Sequence, residues 1–334
     1  MIFDDLRLYK FASALHAAEN PLFITGAGIS VASGIAPFRG TDEAVWSKTV
    51  MEMGTRRTFE KTPVDQWQWY LDRFDACREA KPNAAHLALV ELERLKVAQD
   101  RALHIVTQNI DGLHVSAGSA DVIEIHGAAR KVRCSRGGCS NGAPRGTLPW
   151  DEAMFATFRT DSKLSTVPRC RVCGKLIRPH VLWFDEVYVE HFDYRFDDAV
   201  KRFEKADLVV FVGTSFSVRI TEMAMDGARM LGTPKWSVDP VSPPPGDDVE
   251  WLKAPAEVVL PAVVSMWGEI GEGALPPKSP KPDVDTWVRS QIGMLEDFHA
   301  WWTRNHESAP ELFPERMDPE DWNANYEVWD PETP

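Results

Sequence analysis

Four cysteines and one histidine define the chemistry open to this chain. Four residues lie between Cys134 and Cys139, two between Cys170 and Cys173, and thirty between the pairs. Thiolates at such short spacing suit tetrahedral Zn2+, and four of them leave no coordination position for water. The zinc is therefore expected to be structural, not catalytic. Gly137, Gly138 and Gly174 supply the tight turns. The competing reading of these four residues is two disulfides or unligated thiols. Cys77, alone in a helical-looking stretch, reads as a small apolar filler. His126, followed by Gly127, fits a general base working near neutral pH. Gln108, Asn109 and Asp111 come directly after an apolar run, a poor place for polar groups unless they have partners.

A small-residue loop completes the set. Gly26, Ala27 and Gly28 end the apolar run 22–25, and Phe38 and Arg39 follow shortly after. A strand running into such a turn suggests a phosphate cradle. Yet the third glycine of a dinucleotide fingerprint is missing, no acidic residue closes the second strand, and no Walker G-K-[ST] occurs.

The elements that must position these residues are legible. Residues 22–25, 103–107 and 207–214 read as buried strands, with weaker candidates at 121–127, 181–184 and 234–239. Helical patterns at 84–96 and 217–231 lie between them, so a doubly wound parallel sheet is expected. Ligands in such sheets sit beyond the carboxyl ends of the strands, where the residues after 25, 107 and 213 would converge. Residues 41–83, helical and Trp-rich, and 129–177, holding the cysteine pairs, break the alternation and read as a smaller second domain. The main α/β part is then about 1–40, 84–128 and 178–264. A Pro-rich linker leads into an extension over 265–334 with six tryptophans; its last part, 307–334, has nine acids against one arginine. The tryptophans make simple disorder doubtful, so the extension is expected to dock on the catalytic body or a partner, or to self-associate.

At 334 residues, 44% hydrophobic and 26% charged, the chain reads as an ordinary globular protein. A net charge of −13 argues against nucleic acid or an anionic membrane as main partner. The N-terminal residues have no apolar run of signal-peptide length and no stretch could span a bilayer, so a cytoplasmic protein is the simplest expectation.

The motifs G-A-G-I-S…G-I-x-x-F-R, T-Q-N-I-D-G-L-H, H-G, paired cysteines, W-F-x-E and G-T-S, in this order, resemble those of the sirtuins over roughly residues 5–264. The resemblance implies a Rossmann-like domain and a small zinc domain enclosing NAD+ and an acyl-lysine peptide. The implied reaction cleaves the nicotinamide–ribose bond and moves the acyl group from lysine to ADP-ribose. Ala27, Gly28 and Ser30 would cradle the pyrophosphate, while Phe38 would screen the reactive ribose carbon and Arg39 would order the loop. Gln108 would contact a ribose, Asn109 and Asp111 would form the nicotinamide pocket, and His126 would deprotonate a ribose hydroxyl. Thr214 and Ser215 would hold the phosphate and adenine-ribose side. Gly26, Ile110, Gly213, Ser237, Val238, Asp239 and Ala254 are counted among the cofactor contacts. The peptide would enter as an added strand between 183–186 (Trp183, Phe184, Asp185, Glu186) and 215–220.

Tyr70 and Arg73, three apart on one helical face, match the sirtuin branch that removes malonyl, succinyl and glutaryl groups. A planar guanidinium pairs with a free carboxylate, and a phenol adds a hydrogen bond. Gly54 stands where that branch has a small Ala, so the acyl pocket keeps its room. Three departures stand out. Asp185 replaces a Gly and adds a charge beside the peptide strand, Arg219 and Ile220 stand where a Pro is frequent, and Ser237 with Asp239 replaces an Asn. Two other functions compete: NAD+ hydrolysis or ADP-ribosyl transfer by the same fold, and an inactive NAD-responsive scaffold.

Overall fold

Leu22, Phe23 and Ile24 have no exposed surface, and the main sheet is built around them. The structure, a computed structural model, describes residues 5–36 and 52–270. Phe38, Arg39 and residues 271–334 lie outside the described residues. Strand β1 (Pro21–Thr25) pairs in parallel with β2 (His104–Thr107) on one side and with β7 (Leu208–Val212) on the other. Beyond these lie β3 (Val122–Glu124) and, past β7, β8 (Lys235–Val238) and β9 (Glu250–Leu252). The order is β3-β2-β1-β7-β8-β9, all parallel. The winding direction therefore reverses between β1 and β7, and the crevice past their carboxyl ends is where such sheets bind ligands.

The faces are covered by helices α1 (Asp5–Ala17), α4 (Ala84–Val97) and α9 (Ala256–Met266) packed into one apolar core with the strands. Asn83 caps α4 by accepting from the Ala85 amide, and its Nδ2 donates to the Ile29 carbonyl and the Ser33 hydroxyl. The cap thus ties the helix to the loop after β1. Helix α9 runs past residue 264, and Trp267 behind it is buried against His16, with ring centroids 4.9 Å apart. The first tryptophan of the extension belongs to this core.

A second sheet, β5-β4-β6, is antiparallel and is built from β4 (Gly127–Cys134), β5 (Leu148–Pro149) and β6 (Ile177–Val181). This corrects the expectation of a strand at 181–184. The strand ends at Val181 and pairs with β4, and residues 183–186 form a turn in which the Glu186 amide donates to the Trp183 carbonyl. Helices α2 (Arg56–Lys61) and α3 (Pro63–Glu79) share an apolar core with this sheet and with α6 (Glu152–Thr160). Trp67 is its centre: fully buried, 4.6 Å from the Phe155 ring, with Nε1 donating to the Ile177 carbonyl. The Trp-rich and Cys-rich segments are thus one packed unit.

Candidate active site

Glycines decide how closely β1 and β7 can end together. A Cβ on Gly26 would lie 2.7 Å from the Gly213 carbonyl oxygen, and one on Gly28 would lie 2.5 Å from the Gly213 Cα. Gly213 itself has φ +59° and no room for a side chain against Ile29. The small residues first admit each other's backbone: the Gly26 amide donates to Val212 and the Gly28 amide to Gly213. A short 3-10 helix, Ala27–Ser33, follows.

Above this floor the polar residues after β1, β2 and β7 form one network. Asn109 Nδ2 donates to the Gly26 carbonyl and the Ser30 hydroxyl, each at 3.1 Å. Ser30 donates to Asp111 Oδ2 at 2.8 Å, and Asp111 Oδ1 accepts the Leu113 amide. Burial pushes the Asp111 carboxyl up, against those two hydrogen bonds. Gln108 Nε2 donates to the Thr214 hydroxyl at 3.3 Å, bridging β2 and β7. Ser215 bonds the Ser217 hydroxyl. The Ile110 carbonyl accepts from the Ala129 amide, which fixes the loop to β4.

His126 sits between β3 and β4. Gly127, at φ +83°, is required there because a Cβ would come within 2.2 Å of the His180 carbonyl. His126 Nδ1 lies 2.9 Å from the Gln108 carbonyl, an acceptor, so Nδ1 carries the proton and the Nε2 lone pair is the basic one. Burial lowers its pKa to about 4, opposed only by that hydrogen bond, so the imidazole is neutral at pH 7.

On the β8 side, Ser237 and Val238 are buried, and the Ser237 hydroxyl has no partner among the described residues. Asp239 Oδ1 accepts the Val241 and Ser242 amides. That turn engages one oxygen of the Asp239 carboxylate. Ala254 packs in the apolar core.

The Trp183–Glu186 turn faces the second unit. Glu186, with no exposed side-chain surface, is gripped by Arg178, with Arg56 and Arg133 beside it. Burial alone would raise its carboxyl, but the three guanidinium groups outweigh that and hold it at about 2. Its Oε2 also accepts the Trp183 amide. The Asp185 carboxylate accepts the Arg56 and Arg57 amides, capping α2, so it is not a free charge awaiting the peptide. The Phe184 amide donates to the Gly54 carbonyl at 2.9 Å. Sequence reasoning missed these arginines, because the strand that carries Arg178 was read at 181–184.

Tyr70 is buried, and its hydroxyl accepts from Trp183 Nε1 at 2.8 Å. That leaves its own O–H proton free to donate. Burial pushes the phenol well above its usual pKa, so it stays protonated. Arg73 is half-buried, 3.6 Å above the Trp69 ring, with Nη1 donating to the Trp69 carbonyl. It forms no ion pair among the described residues.

The Sγ atoms of Cys134, Cys139, Cys170 and Cys173 all lie within 4.8 Å of one another, with Cys134–Cys173 at 3.4 Å and Cys139–Cys170 at 3.7 Å. A tetrahedron with Zn–S bonds of about 2.3 Å has S···S edges of roughly 3.8 Å, so the donor set fits zinc. The Arg136 amide and Asn141 Nδ2 point at sulfurs, as donors to thiolates do. A second cluster, His180, His191 and Asp193, is a poor metal site. The lone pair of His191 Nδ1 accepts the Asp193 amide, and Lys131 is paired with Asp193.

Comparison with known proteins agrees with this geometry. The profile of the Sir2 family matches residues 26–220, more than half of the chain. An NAD-dependent protein deacylase of Pseudomonas putida is 35% identical over 267 residues, covering 78% of this chain and 95% of that protein. NAD-dependent protein deacylase 1 of Archaeoglobus fulgidus is 38% identical over 63% of this chain and 77% of its own. The structure of a Sir2 homologue in complex with NAD superposes with a TM-score of 0.64 at 31% identity, covering 78% of this chain and 93% of the other. A complex of Sir2 with a p53 peptide and NAD+ superposes with a TM-score of 0.64 at 27% identity, covering 78% and 98%.

Proposed function

The chain belongs to the Sir2 family, and from that premise we propose that it is an NAD-dependent protein-lysine deacylase acting best on succinyl, malonyl or glutaryl groups, with deacetylation secondary. The catalytic domain in this reading is residues 1–264, and its place of action is the cytoplasm. Among the described residues, no helix is long and apolar enough to cross a membrane.

The crevice fits NAD. The three touching glycines keep side chains off the floor, the Asn109–Ser30–Asp111 network offers buried polar groups, and the Ser237 hydroxyl is a buried group without a partner. NAD supplies a labile nicotinamide–ribose bond, whose loss leaves a carbon open to the acyl oxygen. The protein's own part is electrostatic and positional. Asn109 and Asp111 are held for nicotinamide, Ala27, Gly28, Ser30, Thr214 and Ser215 line the phosphate side, and His126 Nε2 takes the ribose hydroxyl proton. Phe38 and Arg39 complete this site in the same reading, as a flap that excludes water. The peptide strand lies between residues 183–186 and 215–220; Val187, directly after the first segment, and Val218, within the second, have extended backbone.

One observation carries the acyl preference: a half-buried guanidinium without an ion pair among the described residues, one turn from a buried phenol that still has a proton to donate. A terminal carboxylate would complete both. The test is nicotinamide release from NAD+ with succinyl-, acetyl- and unmodified peptides. Release that depends on the acyl group, fastest with succinyl, supports the proposal. Release without any acyl peptide would identify a hydrolase, and no release at all a scaffold.

A further inference from the structure

Tyr188 is used by nothing described so far, yet it stands on the base. It follows the extended Val187 and begins a short 3-10 turn, Tyr188–Glu190. Its hydroxyl is 3.3 Å from His126 Nε2, and its ring lies 5.8 Å from the imidazole at an interplanar angle of 19°. It also stacks on Phe196, 5.3 Å away at 10°, so the three rings form one stacked column.

The hydrogen bonds in this column have a fixed direction. His126 Nδ1 faces a carbonyl and must be the donor, so Nε2 can only accept. The Tyr188 O–H is then the donor to Nε2. Beside the phenol lies the first turn of α8 (Arg219–Met230). The chain of hydrogen bonds runs from Tyr188 through His126 to the Gln108 carbonyl.

We propose that Tyr188 is a positioning residue for the base, covering the Nε2 lone pair of His126 until a substrate hydroxyl takes its place. The substrate part of this rests on the deacylase reading; the contact does not. A donor on Nε2 stabilises the neutral imidazole, so Tyr188 makes His126 harder to protonate. Among the described residues, the groups hydrogen-bonded to the imidazole are the Gln108 carbonyl and Tyr188. Those facing Tyr188 from α8 are Arg219 and Glu222, which pair with each other at 3.3 Å.

The test is Tyr188→Phe in the full chain, which keeps both stacks and removes only the hydroxyl. The His126 imidazole is titrated by NMR without ligands, and kcat/KM for an acyl peptide is followed against pH. The expected result is a His126 midpoint raised by about half to one pH unit, a three- to ten-fold gain in proton affinity. The acid limb of kcat/KM should move up with it, with no loss on the alkaline side. Phe196→Leu, which disturbs the column but keeps the hydroxyl, should leave the midpoint near that of the parent. Equal midpoints in parent and Tyr188→Phe would overturn the proposal, as would a shift in Phe196→Leu as large as in Tyr188→Phe. If the parent shows no acyl-dependent nicotinamide release, the deacylase reading fails, while the ligand-free titration still decides the role of Tyr188.

Discussion

Arg73 and His126 are both set by burial, but in opposite chemical senses. Arg73 is a cation held against the Trp69 ring with its charge unmatched among the described residues, while His126 is kept neutral. Arg73→Met should therefore lower kcat/KM for a succinyl-lysine peptide by roughly 30- to 1000-fold, the equivalent of about 2–4 kcal/mol for a buried charge pair. Deacetylation should change only a few-fold. Equal loss of both would remove the acidic-acyl assignment. Because the base is neutral already, the acid limb of kcat/KM should lie nearer 4 than the 6.5 of a free imidazole. At this scale Asn109 and Asp111 were readable because polar residues directly after a buried strand need partners. Tyr188 was not, since its partner is 62 residues away and no pattern links the two. Asp185 was readable as a charge, but its place at the start of α2 was not.

Between the two sheets, the Trp183–Glu186 turn is fixed by ionic contacts rather than by strand pairing. Glu186 accepts from Arg178 on β6 and Arg133 on β4, next to Cys134, so the zinc knuckle and the turn beside the cleft share one buried anion. Glu186→Gln leaves Arg178 without its counter-charge and Arg56 and Arg133 with Glu190 alone, and should cost about 3–5 kcal/mol in urea unfolding. A cost below 1 kcal/mol would mean that the cluster is dispensable. Removing zinc with a chelator should loosen the β4–β6 pair, lower the melting temperature and release one metal ion per chain. A protein containing no zinc on metal analysis would refute the four-cysteine site. The cysteine spacing made this element legible. The strand at 181–184 was misplaced because the apolar run V-L-W-F continues past the last residue that pairs, and the turn at its end is held by groups distant in sequence.

Across the whole molecule, buried neutral histidines set the pH response. Burial lowers His86 and His126 to about 4 and His114 to about 3, with His86 adding a smaller repulsion at His114. An unfolded chain takes protons at these sites below about 6.5, while the folded chain does not until pH 4 or lower. The stability they contribute is therefore complete above pH 6.5 and is lost as pH falls toward 4. The loss is at most about 1.4 kcal/mol per pH unit for each histidine. Unfolding free energies at pH 7.5, 6.0 and 5.0 should show a plateau and then a decline. A flat profile would contradict the buried-neutral assignment. The parallel sheet was foreseeable from three apolar runs that end in small or polar residues. Strand β9 was not, being three residues with an exposed Glu250. Trp267 sits in the main core, so truncation after residue 270 should preserve the fold. If the extension docks or self-associates, the truncated chain will differ in chromatographic size, stability or activity.

The most direct test of the central claim is product stoichiometry. NAD+ and a succinyl-lysine peptide are incubated with the enzyme, and nicotinamide, free-lysine peptide and O-succinyl-ADP-ribose are quantified by mass spectrometry. Acyl transfer predicts the three in equal amounts. Nicotinamide and plain ADP-ribose forming while the peptide keeps its succinyl group would contradict it.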